Sequence, residues 1–150
     1  MNIYVFRVAC TAALALFMMG AFAQSTALEP ARLAPEDLKW ATTPMGTQRA
    51  ILAGDDRKAG MYAYRVRFPA NFRNTPHFHP DDRIVTVISG TLYVGFGEQF
   101  DESKMKALPA SSIWTEPAKE PHFVWAKDGE VIIQVIGNGP SGVTLIQPKQ

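Results

Sequence analysis

Between Gln48 and Ile146 the chain is a succession of short runs with apolar residues at every second place, each closed within a few residues by glycine or proline. Side chains at period two point to opposite faces of an extended backbone, so such runs read as strands with one face covered. The runs are Gln48 to Ala53, Met61 to Phe68, Ile84 to Ile88, Thr91 to Phe96, Ile113 to Thr115, His122 to Ala126, Val131 to Ile136 and Val143 to Ile146. Many short strands at close spacing specify an all-β sandwich or barrel, and a small barrel encloses a pocket. Ser89-Gly90 reads as the turn of a hairpin joining two of the runs, and Asp128-Gly129 as a tight turn. Gly95 and Gly97 suggest a bulge or bend. Helix is expected in one short piece of the body, Phe100 to Leu108, capped by Asp101 and stopped by Pro109, with a single further turn at Pro35 to Trp40.

The first residues have a different character. Val8 to Phe22 is almost wholly apolar after Arg7, and Ala21-Phe22-Ala23 ends it in a small-x-small pattern before the polar Gln24-Ser25-Thr26. This reads as a signal peptide over residues 1–23, cleaved after Ala23, because the run is short for a bilayer span. A periplasmic or secreted protein is expected, with no stable membrane association after cleavage. Residues 24–39 form a polar, flexible lead-in, and residues 40–150 a single domain, since no repeat or linker divides them. Cys10 leaves with the leader, so the exported domain must hold together by packing alone. Without Arg7 the 14 acidic residues are balanced by the remaining basic ones, and nothing points to nucleic acid as a partner.

The chain has three histidines, and all fall in strand-and-turn stretches. His77 and His79 stand at spacing two in Thr75-Pro76-His77-Phe78-His79-Pro80, and His122 follows Glu120-Pro121. Two neighbouring strands can bring all three imidazoles to one point, as a transition metal requires. Neutral imidazoles with open positions beside them suit zinc, iron, manganese, nickel or copper, so a divalent transition metal of unspecified identity is expected. Trp114, Phe123 and Trp125 read as core, Trp40 as core or lid packing, and Tyr62, Tyr64 and Tyr93 as candidate pocket lining. Gln134, polar between Ile132 and Ile136, reads either as a contact to ligand or metal surroundings or as an exposed strand position.

These residues resemble the two motifs of the cupin superfamily, more closely those of small single-domain cupins. In the first motif His77 and His79 stand at the histidine pair and Gly90 at the closing glycine, while Asn71 replaces the first glycine and Arg83 the glutamate. In the second, Pro117 and His122 agree, whereas Ser111, Lys119 and Ala126 replace two glycines and an asparagine. The similarity runs from about Trp40 to Pro148. It implies a cupin-type jelly roll, metal on His77, His79 and His122, a small-molecule ligand and a homodimer.

Arg83 is the departure with most chemical weight. The family's glutamate is a common fourth ligand, but arginine offers only donors and places a cation beside the metal. Three arrangements accommodate it. Asp82 could swing in as the carboxylate. Arg83 could point outward or pair with Asp81 or Asp82. Or three histidines could suffice, with Arg83 holding the carboxylate of a bound substrate, the arrangement favoured here. The resemblance therefore supports an exported metal-dependent enzyme of the dioxygenase, isomerase, decarboxylase or lyase kind, acting on a small, carboxylate-bearing molecule. Its alternative is a binding or sensing cupin with a degenerate metal site, since one barrel hosts many chemistries.

Overall fold

A computed structural model describes residues 27–147, so the leader read at residues 1–23 lies outside the described residues. Eleven strands follow in order: β1 (Ala41–Thr42), β2 (Gln48–Ala53), β3 (Gly60–Phe68), β4 (His77–Phe78), β5 (Arg83–Ser89), β6 (Thr91–Phe96), β7 (Lys106–Pro109), β8 (Ile113–Glu116), β9 (His122–Trp125), β10 (Val131–Gly139) and β11 (Thr144–Leu145). They form two antiparallel sheets, ordered β1-β2-β3-β10-β5-β8 and β11-β4-β9-β6-β7. This is the two-sheet jelly roll expected from the sequence. Among the described residues no helix is long and apolar enough to cross a membrane.

Alternation along each strand decides which side chains enter the sandwich. In β5, Val85 and Val87 are buried while Ile84 and Ile88 are exposed; in β10, Val131, Ile133 and Val135 are buried and Ile136 is exposed. These valines and isoleucines meet Leu92 and Val94 of β6, Val124 of β9 and Trp114 of β8 in one core. Full burial of each such side chain contributes about 1.5–3 kcal/mol. Phe123 is fully buried as expected. Trp125 is only half buried, on the outer side, where Phe100 and the Arg73 guanidinium pack against it. Trp40 is likewise half buried, under the guanidinium of Arg67.

Three local readings are corrected. Ser89-Gly90 is not a hairpin turn: β5 pairs with β10 and β8, and β6 with β7 and β9, so Gly90 carries the chain from one sheet to the other. Gly90 sits at φ 78° and a Cβ there would lie 2.5 Å from the Glu130 carbonyl oxygen, so only glycine turns this corner. The stretch Phe100 to Leu108 is not a helix beyond a single 3-10 turn at Glu102–Lys104, capped by Asp101, whose side chain accepts from Ser103 N–H. Lys106–Pro109 instead extends as β7 along β6, because pairing with an open sheet edge outweighs the weak propensity of so short a segment. The absent side chain of Gly95 makes room for the Phe123 ring, a close approach and not a bend.

Among the described residues, three that are not glycine hold positive φ: Asn71 (64°), Ser111 (73°) and Lys119 (64°). These are the residues standing where the cupin motifs have glycine. The turns keep their left-handed shape, and the side chains bear its steric cost of about 1–2 kcal/mol each. Lys119→Gly and Ser111→Gly are expected to raise the unfolding free energy by about 0.5–1 kcal/mol each, the relief being partly offset by the larger unfolded-state entropy of glycine. Urea unfolding of the two variants measures this; a loss of stability in both would show that the turns do not favour glycine.

Candidate metal centre and its cavity

Register builds the site. His77 of β4 lies directly opposite His122 of β9, and His79 follows one pleat later on the same face. The three rings are buried, their centroids 4.4 to 5.3 Å apart, and ligand nitrogens of all three lie within 4.8 Å of one another. Each ring is oriented by a main-chain carbonyl at Nδ1: Thr75 for His77 (2.9 Å), Gly142 for His79 (2.6 Å) and Glu120 for His122 (3.2 Å). A carbonyl only accepts, so each Nδ1 carries a proton; Nε2 of His77 and His79 keeps its lone pair, while Nε2 of His122 faces the Glu116 carboxylate. His79 Nε2 is buried without a hydrogen-bond partner. Three imidazoles presenting Nε2 from fixed orientations form a donor set that fits a divalent transition metal. Burial, and the neighbouring His122, lower the pKa of His77 to about 4. Burial and the Arg83 guanidinium lower that of His79 to about 3.

A carboxylate that the sequence reading did not single out completes the cluster. Glu116 ends β8 opposite Arg83 of β5, and both side chains face the interior, 4% and 6% exposed. Arg83 Nε donates to Glu116 Oε2 at 2.7 Å, Arg83 Nη2 closes on the same oxygen, and Arg83 Nη1 donates to the Tyr64 hydroxyl at 3.0 Å. The other oxygen, Oε1, lies 3.3 Å from His122 Nε2 and accepts from the Trp114 indole; Oε2 is 3.9 Å from His79 Nε2. Burial opposes ionisation of Glu116, but the His122 ring and the Arg83 charge outweigh it and hold its carboxyl far below the ordinary range. The carboxylate that the motif would place on β5 is thus supplied by β8, one rung across, with an arginine in its former position.

The remaining candidates separate cleanly. Arg83 faces the site, but its partners are Glu116 and Tyr64, neither Asp81 nor Asp82, and its donors are already engaged. Asp82 does not swing in: it is exposed and accepts from the Ala118 N–H. Asp81 is buried against the Tyr62 hydroxyl. Gln134 shares the outer face of β10 with Ile136 and bonds Arg65 on β3, so it takes no part in the site. Of the tyrosines, Tyr64 lines the cavity, whereas Tyr93 bonds Asp128 on the surface. Glu116 escaped the sequence reading because strand pairing is non-local. Its available signal was the shared parity of Trp114 and Glu116 in Ile113-Trp114-Thr115-Glu116, with a buried arginine in need of a partner.

The cluster floors a cavity of about 390 Å³ between the sheets, a size that suits a small organic molecule. Phe68, Phe72, Trp114 and Ile133 give it apolar walls, Arg49 and Tyr64 stand on β2 and β3, and Met45 and Val143 border its opening.

Glu116→Gln is expected to destabilise the protein by about 3–5 kcal/mol, because it leaves the Arg83 charge buried and unpaired; Arg83→Met with Glu116→Leu should recover most of that. Denaturant unfolding of the single and double variants checks the coupling, and additive losses would contradict it. Acid dependence follows from the histidines. In the unfolded chain they take up protons near pH 6.5, but in the folded chain only near 4 and 3, so the unfolded state binds more protons between these limits. Stability of the chelator-treated protein should fall as pH drops from about 6.5 towards 4, by about 1.4 kcal/mol per pH unit for each ring. Unfolding titrations at pH 7, 6 and 5 read this slope, and a flat profile would contradict the buried, neutral rings.

Three solved structures share the fold. An RmlC-like cupin from Shewanella frigidimarina NCIMB 400 superposes at a TM-score of 0.60 with 16% identity, over 75% of this chain and 94% of that one. Polyketide cyclase RemF from Streptomyces resistomycificus gives 0.66 and 17%, over 81% and 89%. KdgF from Halomonas sp. gives 0.59 and 20%, over 74% and 96%. No curated protein sequence matches the chain. Residues 34–149 match the family described as a domain of unknown function, DUF4437. Nearly the whole of the described chain, including every residue of the histidine cluster and its cavity, therefore lies within a cupin-fold domain that belongs to the DUF4437 family.

Proposed function

We propose that this chain is a metal-dependent cupin enzyme whose divalent transition ion sits on His77, His79 and His122 and whose substrate is a small molecule held in the cavity above them. The observation that carries the reading is the shared orientation of the three rings. Each is held through Nδ1 by a main-chain carbonyl, which turns the three Nε2 atoms to the cavity floor, with ligand nitrogens within 4.8 Å of one another. Bound there, the ion would supply Lewis acidity to an oxygen of the molecule in the cavity. The chain's own groups do the rest. Glu116 neutralises Arg83, so that the guanidinium does not repel the cation, and keeps a carboxylate oxygen within 3.3 Å of His122 Nε2. Tyr64 holds Arg83 from the far side. The apolar walls exclude water and grip the substrate body.

A solved neighbour of this fold is named a polyketide cyclase, which supports small-molecule chemistry in a barrel of this shape without fixing the reaction. One observation favours a second reading, a binding or sensing cupin without turnover: Glu116, the carboxylate beside the histidines, is engaged by Arg83 and is not free as a general base. Export through the leader at residues 1–23 and pairing into a homodimer belong to the same proposal. Pairing would cover the exposed Met61, Ile84 and Ile136 on the outer face of the larger sheet.

Metal analysis of the untagged protein, purified without chelator, should find about one transition-metal ion per chain, and His122→Ala should lose it while remaining folded. Unchanged metal content in His122→Ala would remove the three-histidine site. Absence of metal from the wild type, with none taken up on titration, would remove the metalloenzyme. Metal retained with no turnover of any small molecule would favour the binding module.

A further inference from the structure

Each nitrogen of Arg83 already has a protein partner, and a second guanidinium lines the same cavity. Arg49 of β2 lies with its guanidinium carbon 3.8 Å from the centre of the Tyr64 ring. Its Nη2 is 2.9 Å from Asp56 Oδ2, a charge contact that is not aligned as a hydrogen bond. Nε is buried and has no hydrogen-bond partner, Nη2 has only that carboxylate beside it, and 30% of the side chain remains exposed. Buried guanidinium N–H groups without acceptors are costly to leave unmade. The group is also held still: Tyr64 stacks beneath it and Asp56 restrains one end, so its ordering cost on meeting a ligand is already met.

The surrounding charges favour an anion. Arg83 and Glu116 cancel each other inside the cavity, whereas Asp56, the partner of Arg49, does not line it, so Arg49 is the cation whose countercharge lies outside the cavity. Val66, Phe68, Phe72 and Ile133 make the rest of the wall apolar. We infer that Arg49 is the anion-recognition residue of this cavity and that the ligand is a compact monocarboxylate with an apolar or aromatic body, its carboxylate on the Arg49 fork. The inference rests on the cavity being the small-molecule site proposed above, and moves the carboxylate contact from Arg83 to Arg49. A planar guanidinium matches a carboxylate, whereas a neutral amide of the same shape would meet it without charge assistance.

The test uses benzoate and benzamide as probes, with calorimetric titration of the full chain in its zinc-loaded and chelator-treated forms. The wild type should prefer benzoate, and Arg49→Gln should reduce that preference at least tenfold while leaving zinc uptake unchanged. Asp56→Asn provides the second variant: it removes the contact to Arg49 but keeps the guanidinium on Tyr64, so the preference for benzoate should persist. If Arg49 were only a structural brace to Asp56, the two variants would behave alike, and that result would overturn the inference. So would a benzoate preference that Arg49→Gln leaves intact, or no benzoate binding by the wild type. Failure to take up zinc, alongside Arg49-dependent benzoate binding in the chelator-treated form, would overturn the metal reading and support this one.

Discussion

The ion pair between Arg83 and Glu116 is the contact on which the site depends. Two charges withdrawn from water on adjacent strands are tolerable only because they meet in the interior, where the Tyr64 hydroxyl accepts from Arg83 and the Trp114 indole donates to Glu116. The pair does more than cancel charge. By occupying one oxygen of Glu116, Arg83 turns the other towards the histidines, so a group that cannot ligate a metal determines where the carboxylate that can do so is aimed. The register of β5 on β8 fixes this arrangement: a slip of one residue in either strand would turn that strand's side chain out of the barrel and break the pair.

The relation between this site and its sequence depends on distance along the chain. His77 and His79 were legible because their spacing is a local, period-two fact, and His122 because it follows a proline turn at the start of a strand. Most strand limits followed from the same alternation. Glu116 was hidden because nothing local says that β8 lies beside β5. The Ser89-Gly90 corner was read as a hairpin for a related reason: turn chemistry announces a change of direction but not which sheet receives the next strand. Gln134 shows the limit of parity. Its outward company, Ile132 and Ile136, is apolar enough to resemble a core face, and only the pairing with Arg65 decides the matter. At Phe100 to Leu108 a good cap and a proline stop described a helix that the free edge of β6 converted into a strand.

The three left-handed turns at Asn71, Ser111 and Lys119 show that a motif's geometry can outlast its residues. Each turn is pinned from outside: Asn71 N–H to the Ala126 carbonyl, Ser111 N–H to that of Val87 and Lys119 N–H to that of His79. The last of these ties the strained turn directly to a residue of the candidate metal centre. Surrounding hydrogen bonds over-determine these conformations, so a side chain that disfavours them is carried along.

The three carbonyls that orient the imidazoles belong to Thr75, Glu120 and Gly142, residues from three separate segments, and all are main-chain groups. The aim of the histidines is therefore written largely in the path of the backbone, with Asn74 beside His77 and Glu116 beside His122 as the side-chain contacts. Such a centre is indifferent to the identities of the residues that position it, provided the chain keeps its course. Substitutions can accumulate around it, altering the walls and mouth of the cavity, while the tautomers stay as they are. A fold built this way can change what it receives without relearning how to hold its histidines.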